Sequence, residues 1–112
     1  MATAKISSFQ ESAALPILSG MTRLVSEQTE AFGKRLVLLR LACGYASQKT
    51  FSEALGIERI TLSQYEAGRS YPKPDVLGRI RQLTGATVDW LYFGDEGGLP
   101  VILAQRLREM SS

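Results

Sequence analysis

The chain has 112 residues and 12.3 kDa, room for one compact domain. Apolar residues make up 45% and charged residues 21%, a globular balance; with no run near the about eighteen apolar residues of a membrane span, a transmembrane protein is excluded. Histidine is absent and Cys43 is the single cysteine, which removes Ser-His-Asp and Cys-His catalysis, imidazole metal sites, disulfide frameworks and cysteine-rich zinc sites; neither an enzyme nor a metal or other cofactor is expected.

Net charge is only +2, from 13 Lys and Arg against 11 Asp and Glu, but it is unevenly placed. Residues 1–30 carry a net −1, residues 31–94 carry nine cations against five anions for +4, and residues 95–112 carry −1. The basic surplus lies wholly in the middle segment.

Residues 1–28 are rich in Ser and Ala and broken by Pro16 and Gly20, which predicts an N-terminal arm with at most partial helix. Met1 to Lys5 has one cation and no apolar core behind it, so no secretory signal and a cytoplasmic protein are expected. Periodic signal begins near residue 29. Phe32, Leu36, Leu39 and Cys43 repeat at four, three and four residues, predicting a helix over 29–43, capped by Thr29 or Ser26 and ended by Gly44. Cys43 belongs to this apolar stripe and has no cation cluster beside it, which favours a buried small residue over a redox sensor.

Ser47 is placed to cap a second helix, 48–55, with Phe51, Ala54 and Leu55 inward and Gly56 as its stop. A third helix is expected over 58–67, with Ile57, Leu62 and Tyr65 toward the core and Gly68 beyond its end. After Pro72-Lys73-Pro74, Asp75 is positioned to cap a fourth helix, 75–84, burying Leu77, Ile80 and Leu83. Thr87 suits the cap of a fifth, 88–93, packing Val88, Trp90 and Leu91. No strand-like alternation appears, so the expected fold class is all-α.

Only Gly56-Ile57 separates the second and third helices, the spacing of a helix-turn-helix. Ser47-Gln48, Phe51 to Ile57 and Leu62-Ser63-Gln64-Tyr65-Glu66-Ala67-Gly68 together resemble the phage repressor and Cro-type helix-turn-helix family. Pro72-Lys73-Pro74 and the run Leu83 to Leu91, closing on Val88-Asp89-Trp90-Leu91, are similar to that family's fourth and fifth helices. The resemblance covers about residues 32–94. It implies a five-helix, lambda-repressor-like DNA-binding domain over 29–94, flanked by the arm and by an extra C-terminal helix in 95–112.

If Leu62 and Tyr65 face inward, Arg59, Ile60, Ser63, Gln64 and Ala67 share the outer strip of the third helix. Arg pairs bidentately with guanine, Gln with adenine, and an aliphatic side chain meets a thymine methyl, so Arg59, Ile60, Ser63 and Gln64 are the expected base-reading residues. Each also has a structural alternative: Ile60 as core, Arg59 as a solvated charge. By resemblance Gln48 grips a phosphate, with Ser47 and Lys49 beside it at a helix start whose amides face the backbone. Arg69, Ser70 and Lys73 in the following loop are further phosphate-directed donors, or plain loop polarity. Similar proteins also join an arginine late in the first helix to a glutamate late in the third, which points to Arg40 and Glu66 as a structural ion pair.

Two departures from the family pattern stand out. The connection 44–48 is one residue longer than usual, and the start of the third helix carries Glu58 where a Ser or Thr cap is common. The helix dipole favours an acid there; phosphates repel it, and a cytosine amino group offers it a partner.

The tail repeats Leu99, Leu103, Leu107 and Met110, with Pro100 suited to a first helical turn. A five-helix domain closes without this stripe, so a cover is expected from a second subunit or the arm, with packing across its own domain as the alternative. The homodimer is preferred, making Leu99, Leu103, Leu107 and Met110 the expected dimerisation residues, because one recognition helix reads only a few base pairs and a two-fold pair matches a palindromic operator. The leading expectation is a dimeric repressor of double-stranded operator DNA. One rival is an antitoxin-type regulator that also binds a protein toxin, and another a protein-interaction adaptor that uses the fold without DNA.

Overall fold

Phe32, Leu36 and Leu39 are fully buried along α1, which is helical from residue 26 to 42. The computed structural model describes residues 26–111; residues 26–28 already belong to α1, and the rest of the arm expected for 1–28 lies outside the described residues. Five further helices follow: α2 (Gln48–Leu55), α3 (Arg59–Glu66), α4 (Pro74–Thr84), α5 (Val88–Phe93) and α6 (Val101–Ser111). The described residues are all-helical, with no strand among them.

Local chemistry sets the boundaries. Ser47 caps α2 by accepting from the Thr50 N–H at 3.2 Å, and Thr87 caps α5 by accepting from the Trp90 N–H at 3.1 Å. Asp75, expected to cap α4, sits inside its first turn instead: Pro74 takes the first helical position, where its fixed φ suits a helix start, and Lys73 becomes the cap residue. Two arginines satisfy carbonyls at the ends of other helices. Arg35 on α1 donates to Leu91 O and Tyr92 O at 3.1 and 3.2 Å, and Arg79 on α4 donates to Leu55 O and Gly56 O, both at 3.3 Å.

The core gathers Phe51 and Leu55 from α2, Leu62 and Tyr65 from α3, Val76 and Ile80 from α4, and Trp90 and Leu91 from α5 around the α1 stripe. Each large aliphatic or Phe side chain removed from water contributes roughly 1.5–3 kcal/mol. Three residues expected inside are not. Ala54 is exposed, Leu83 is 38% exposed and Val88 44%. On α4 the inner row runs Val76, Ile80, one turn apart, leaving Leu83 at the rim of a shallow cleft with Ala54, Leu55, Arg79 and Gln82. On the six-residue α5, Trp90 and Leu91 fill the inner face and Val88 stays outside.

The tail stripe requires a larger correction. Leu99, Leu103 and Leu107 are buried in the core of their own domain, together with Ala104, so they are not free to meet a second subunit. The start of α6 is seated on Gly85, where an added Cβ would lie 2.9 Å from Pro100 Cγ, and its far end lies over Trp90. Arg108 on α6 pairs with Glu96 at 2.7 Å. Trp90 and Leu107 belong to the same buried core and line one shallow cleft with Glu96, Arg108 and Ser111. Only Met110 of the stripe remains exposed, and Val101 and Ile102 face outward at 82% and 67%.

Cys43, at the end of α1, is half-buried, and burial pushes its thiol pKa up against a smaller opposing pull from Arg106. The thiolate is the reactive form, so alkylation at pH 8 is expected to be slower than for free cysteine, with the rate-against-pH curve displaced upward. A rate matching the free amino acid would mean an open, ionised thiol.

Candidate nucleic-acid interface

The geometry turns on how α3 is held. Its inner side is apolar, with Leu62 and Tyr65 buried, and its last carbonyls press on α1 at Gly33. A Cβ on Gly33 would lie 2.9 Å from Tyr65 O and closer still to Glu66 O, inside any real carbon–oxygen contact. Just beyond α3, Gly68 has φ +76°, and a Cβ there would meet Glu30 Cα at 2.7 Å. Two backbones therefore touch at both positions, and only glycine allows it.

Glu66 completes the attachment. Arg40 Nε donates to its Oε2 at 2.8 Å and Nη2 to its Oε1 at 3.4 Å, with both side chains nearly buried. Gln48 Nε2 donates to Oε1 at 2.9 Å. Arg40 Nη1 also donates to Tyr45 O at 3.0 Å and Ala46 O at 2.9 Å, so the longer α1–α2 connection is wrapped onto the same guanidinium. One carboxylate joins α1, α2 and α3.

The outer strip of α3 stands clear of these contacts. Arg59, Gln64 and Ala67 are exposed, Ile60 is 61% exposed and so not core, and Ser63 is half-exposed. Because Gln48 is bonded to Glu66, the first turn of α2 lies beside the last turn of α3. Gln48, assigned to a phosphate in the sequence, spends one amide N–H on Glu66 and keeps a second. Ser47 is committed as the cap of α2, its hydroxyl also paired with Thr50 Oγ1 at 3.1 Å; Lys49 is exposed in the same turn.

Arg69 and Lys73 are exposed and Ser70 half-exposed in the loop that leaves α3. That loop is anchored by Tyr71, whose ring meets Phe32 edge-on at 5.3 Å and Tyr92 at 5.0 Å. Burial pushes the Tyr92 hydroxyl pKa up, with a further push from Tyr71. Sequence reasoning passed over Gly33, Tyr71, Arg35 and Arg79. Two of them carried a signal: a glycine inside a helical stripe costs about 1 kcal/mol against alanine and implies a close contact, and an aromatic between loop-forming residues implies an anchor.

The family model described as a helix-turn-helix domain matches residues 31–91, more than half of the chain. The chain belongs to the helix-turn-helix domain family. Its helix-turn-helix is α2, the connection from Gly56 to Glu58 and α3, with α1, α4, α5 and α6 sharing its core. A relative in Bacillus subtilis (strain 168), named as an SPbeta prophage-derived uncharacterized HTH-type transcriptional regulator, YonR, is 35% identical over 63 residues. That match covers 56% of this helix-turn-helix chain and 57% of the relative, so the chain spans little more than half the length of that protein. No solved structure is a significant match. Among the described residues no helix is long and apolar enough to cross a membrane, and no group of three or more His, Cys, Asp or Glu could hold a metal.

Proposed function

We propose that this chain is a non-catalytic, sequence-specific regulator of transcription that binds double-stranded DNA in the cytoplasm and represses by occupying an operator. One observation carries the reading: α3 is fixed on three sides by Leu62, Tyr65, Gly33 and the Arg40–Glu66–Gln48 network, while the side chains of its outer strip make no hydrogen bond or ion pair among the described residues. A helix held rigidly with a free polar strip suits entry into a major groove. The relative's name, a transcriptional regulator, supports the same class.

In this reading Arg59, Ile60, Ser63 and Gln64 face base edges. Gln48, Ser47 and Lys49 at the start of α2, with Arg69, Ser70 and Lys73 in the loop, face phosphates and set register without reading sequence. The regulator acts as a homodimer on a palindromic site. With Leu99, Leu103 and Leu107 internal, the apolar residues left for a second copy on α6 are Val101, Ile102 and Met110.

The test is selection of DNA fragments by the pure protein, starting upstream of its own gene, followed by binding across a salt series. Arg59→Ala and Gln64→Ala are expected to relax preference at single positions, each by about 1–3 kcal/mol of discrimination. Lys73→Ala is expected to weaken all sequences alike and flatten the log–log salt slope by about 0.9. Unchanged preference in both α3 variants sinks the assignment of the reading strip.

A further inference from the structure

Among the described residues, a run of aromatic rings leads from the core to the surface. Phe32, fully buried in α1, meets Tyr71 at 5.3 Å and Tyr92 at 5.0 Å between ring centres. Tyr71 and Tyr92 meet at 5.0 Å, and Tyr92 meets Phe93 at 6.2 Å. Phe93, the last residue of α5, is 75% exposed. The run lies beside the first turns of α1, since the loop that carries Tyr71 touches that helix where a Cβ on Gly68 would meet Glu30 Cα. A single exposed apolar side chain is ordinary, but an outward ring joined to half-buried Tyr71 and Tyr92 makes a continuous apolar ledge.

The register of α1 points to the cover. Its inner stripe of Leu39, Leu36, Phe32 and Thr29 runs back in steps of three or four, with Thr29 still buried while Ser26, Glu27, Gln28 and Glu30 are exposed. In the sequence the same steps continue to Val25, Met21 and Leu18, outside the described residues; Ser19, Gly20, Thr22 and Arg23 fall between them, with Leu24 the one apolar residue off the register. We propose that residues 18–25 lie on the aromatic ledge of their own chain, with the Met21 and Val25 side chains against the rings of Tyr92 and Phe93. Tethering selects this occupant. The segment joins α1 at residue 26, within two turns of Phe32, and the two ring-to-ring steps from Phe32 to Phe93 are within the span of about four extended residues. A short tether gives the contact an effective concentration on the order of millimolar, which a second copy matches only in concentrated solution. Methionine suits the place, because its flexible thioether packs well at the edge of an aromatic ring.

The test uses the full chain labelled with 13C at its methionine methyls, which gives three signals, from Met1, Met21 and Met110. A nuclear Overhauser contact from the Met21 methyl to the Phe93 ring is expected. It should vanish when methionine-labelled chains, deuterated elsewhere, are mixed with unlabelled chains as the sole source of ring protons, since only contacts between copies survive there. Phe93→Ser and Met21→Ser are each expected to lower the melting temperature by about 4–8 °C, and the double variant by less than the two losses added. A contact that persists in the mixed sample places the segment on a second copy and overturns the proposal. Absence of the contact overturns it, and so does a melting temperature unchanged by Phe93→Ser, the behaviour of a ring with no cover. Fully additive losses overturn it as well. No DNA enters either measurement, so the outcome stands apart from the operator-binding reading.

Discussion

Glu66→Ala is expected to cost about 3–5 kcal/mol of stability, as much as truncating a large side chain of the core. It removes the carboxylate that pairs with Arg40 at 2.8 Å and with Gln48 at 2.9 Å, and leaves a nearly buried guanidinium with, among the described residues, only the carbonyls of Tyr45 and Ala46 for partners. The damage lies mainly in the stranded charge, not in the worth of the bond, so Arg40→Ala with Glu66→Ala together should cost less than the two single losses added. Urea unfolding of the two single variants and the double variant measures this directly. Because the pair is shielded from solvent, its coupling should barely change between low and high salt. A single-variant loss below about 1 kcal/mol would put the pair with ordinary exposed ones and remove it as the lock on α3.

Gly33→Ala is the second large effect, and its sign is the informative part. In the interior of a helix, alanine normally stabilises over glycine by about 0.5–1 kcal/mol. Here the added methyl runs into the carbonyls of Tyr65 and Glu66, backbone atoms with no flexible side chain to give way. Overpacking of this kind costs about 1–3 kcal/mol, so a net loss is expected, with α3 displaced from α1. DNA affinity should fall by more than the stability change accounts for, since the strip carried by α3 is re-aimed. Thermal unfolding and binding measured on the same preparation separate the two. A rise in melting temperature would mean that the two backbones do not touch.

Much of the fold was legible because it is written in local chemistry. Ser47, Thr87 and the spacing of Phe32, Leu36 and Leu39 each act within one helix, and the structure has those helices within a residue or two of the expected bounds, apart from α1, helical already at residue 26. What periodicity cannot decide is which of two apolar residues on a narrow helix reaches the core. Val76 does so in preference to Leu83, and Trp90 and Leu91 in preference to Val88, because the neighbouring helices set the direction of burial. The same blindness misplaced the cover of the tail. The stripe from Leu99 to Leu107 demanded burial, and sequence alone offers no way to see that it is seated on Gly85 and in the core of its own domain.

At the site, the residues α3 shows were readable from the inward positions of Leu62 and Tyr65. The residues that hold it were readable only in part. Arg40 and Glu66 lie 26 positions apart and were paired through likeness to other proteins. Gly33, Tyr71 and Arg79 act through contacts with distant backbone or rings, which no spacing rule reports.

The single carboxylate that joins three helices has a consequence for how such a protein can change its target. Attachment runs through positions 33, 40, 48, 62, 65, 66 and 68, and display through positions 58, 59, 60, 63, 64 and 67, so the two sets do not overlap. Mutations can therefore rewrite the displayed set one residue at a time while the helix keeps its angle. On the proposed reading, grafting a different exposed set onto α3 is expected to shift the preferred DNA sequence and to leave the attachment of the helix unchanged.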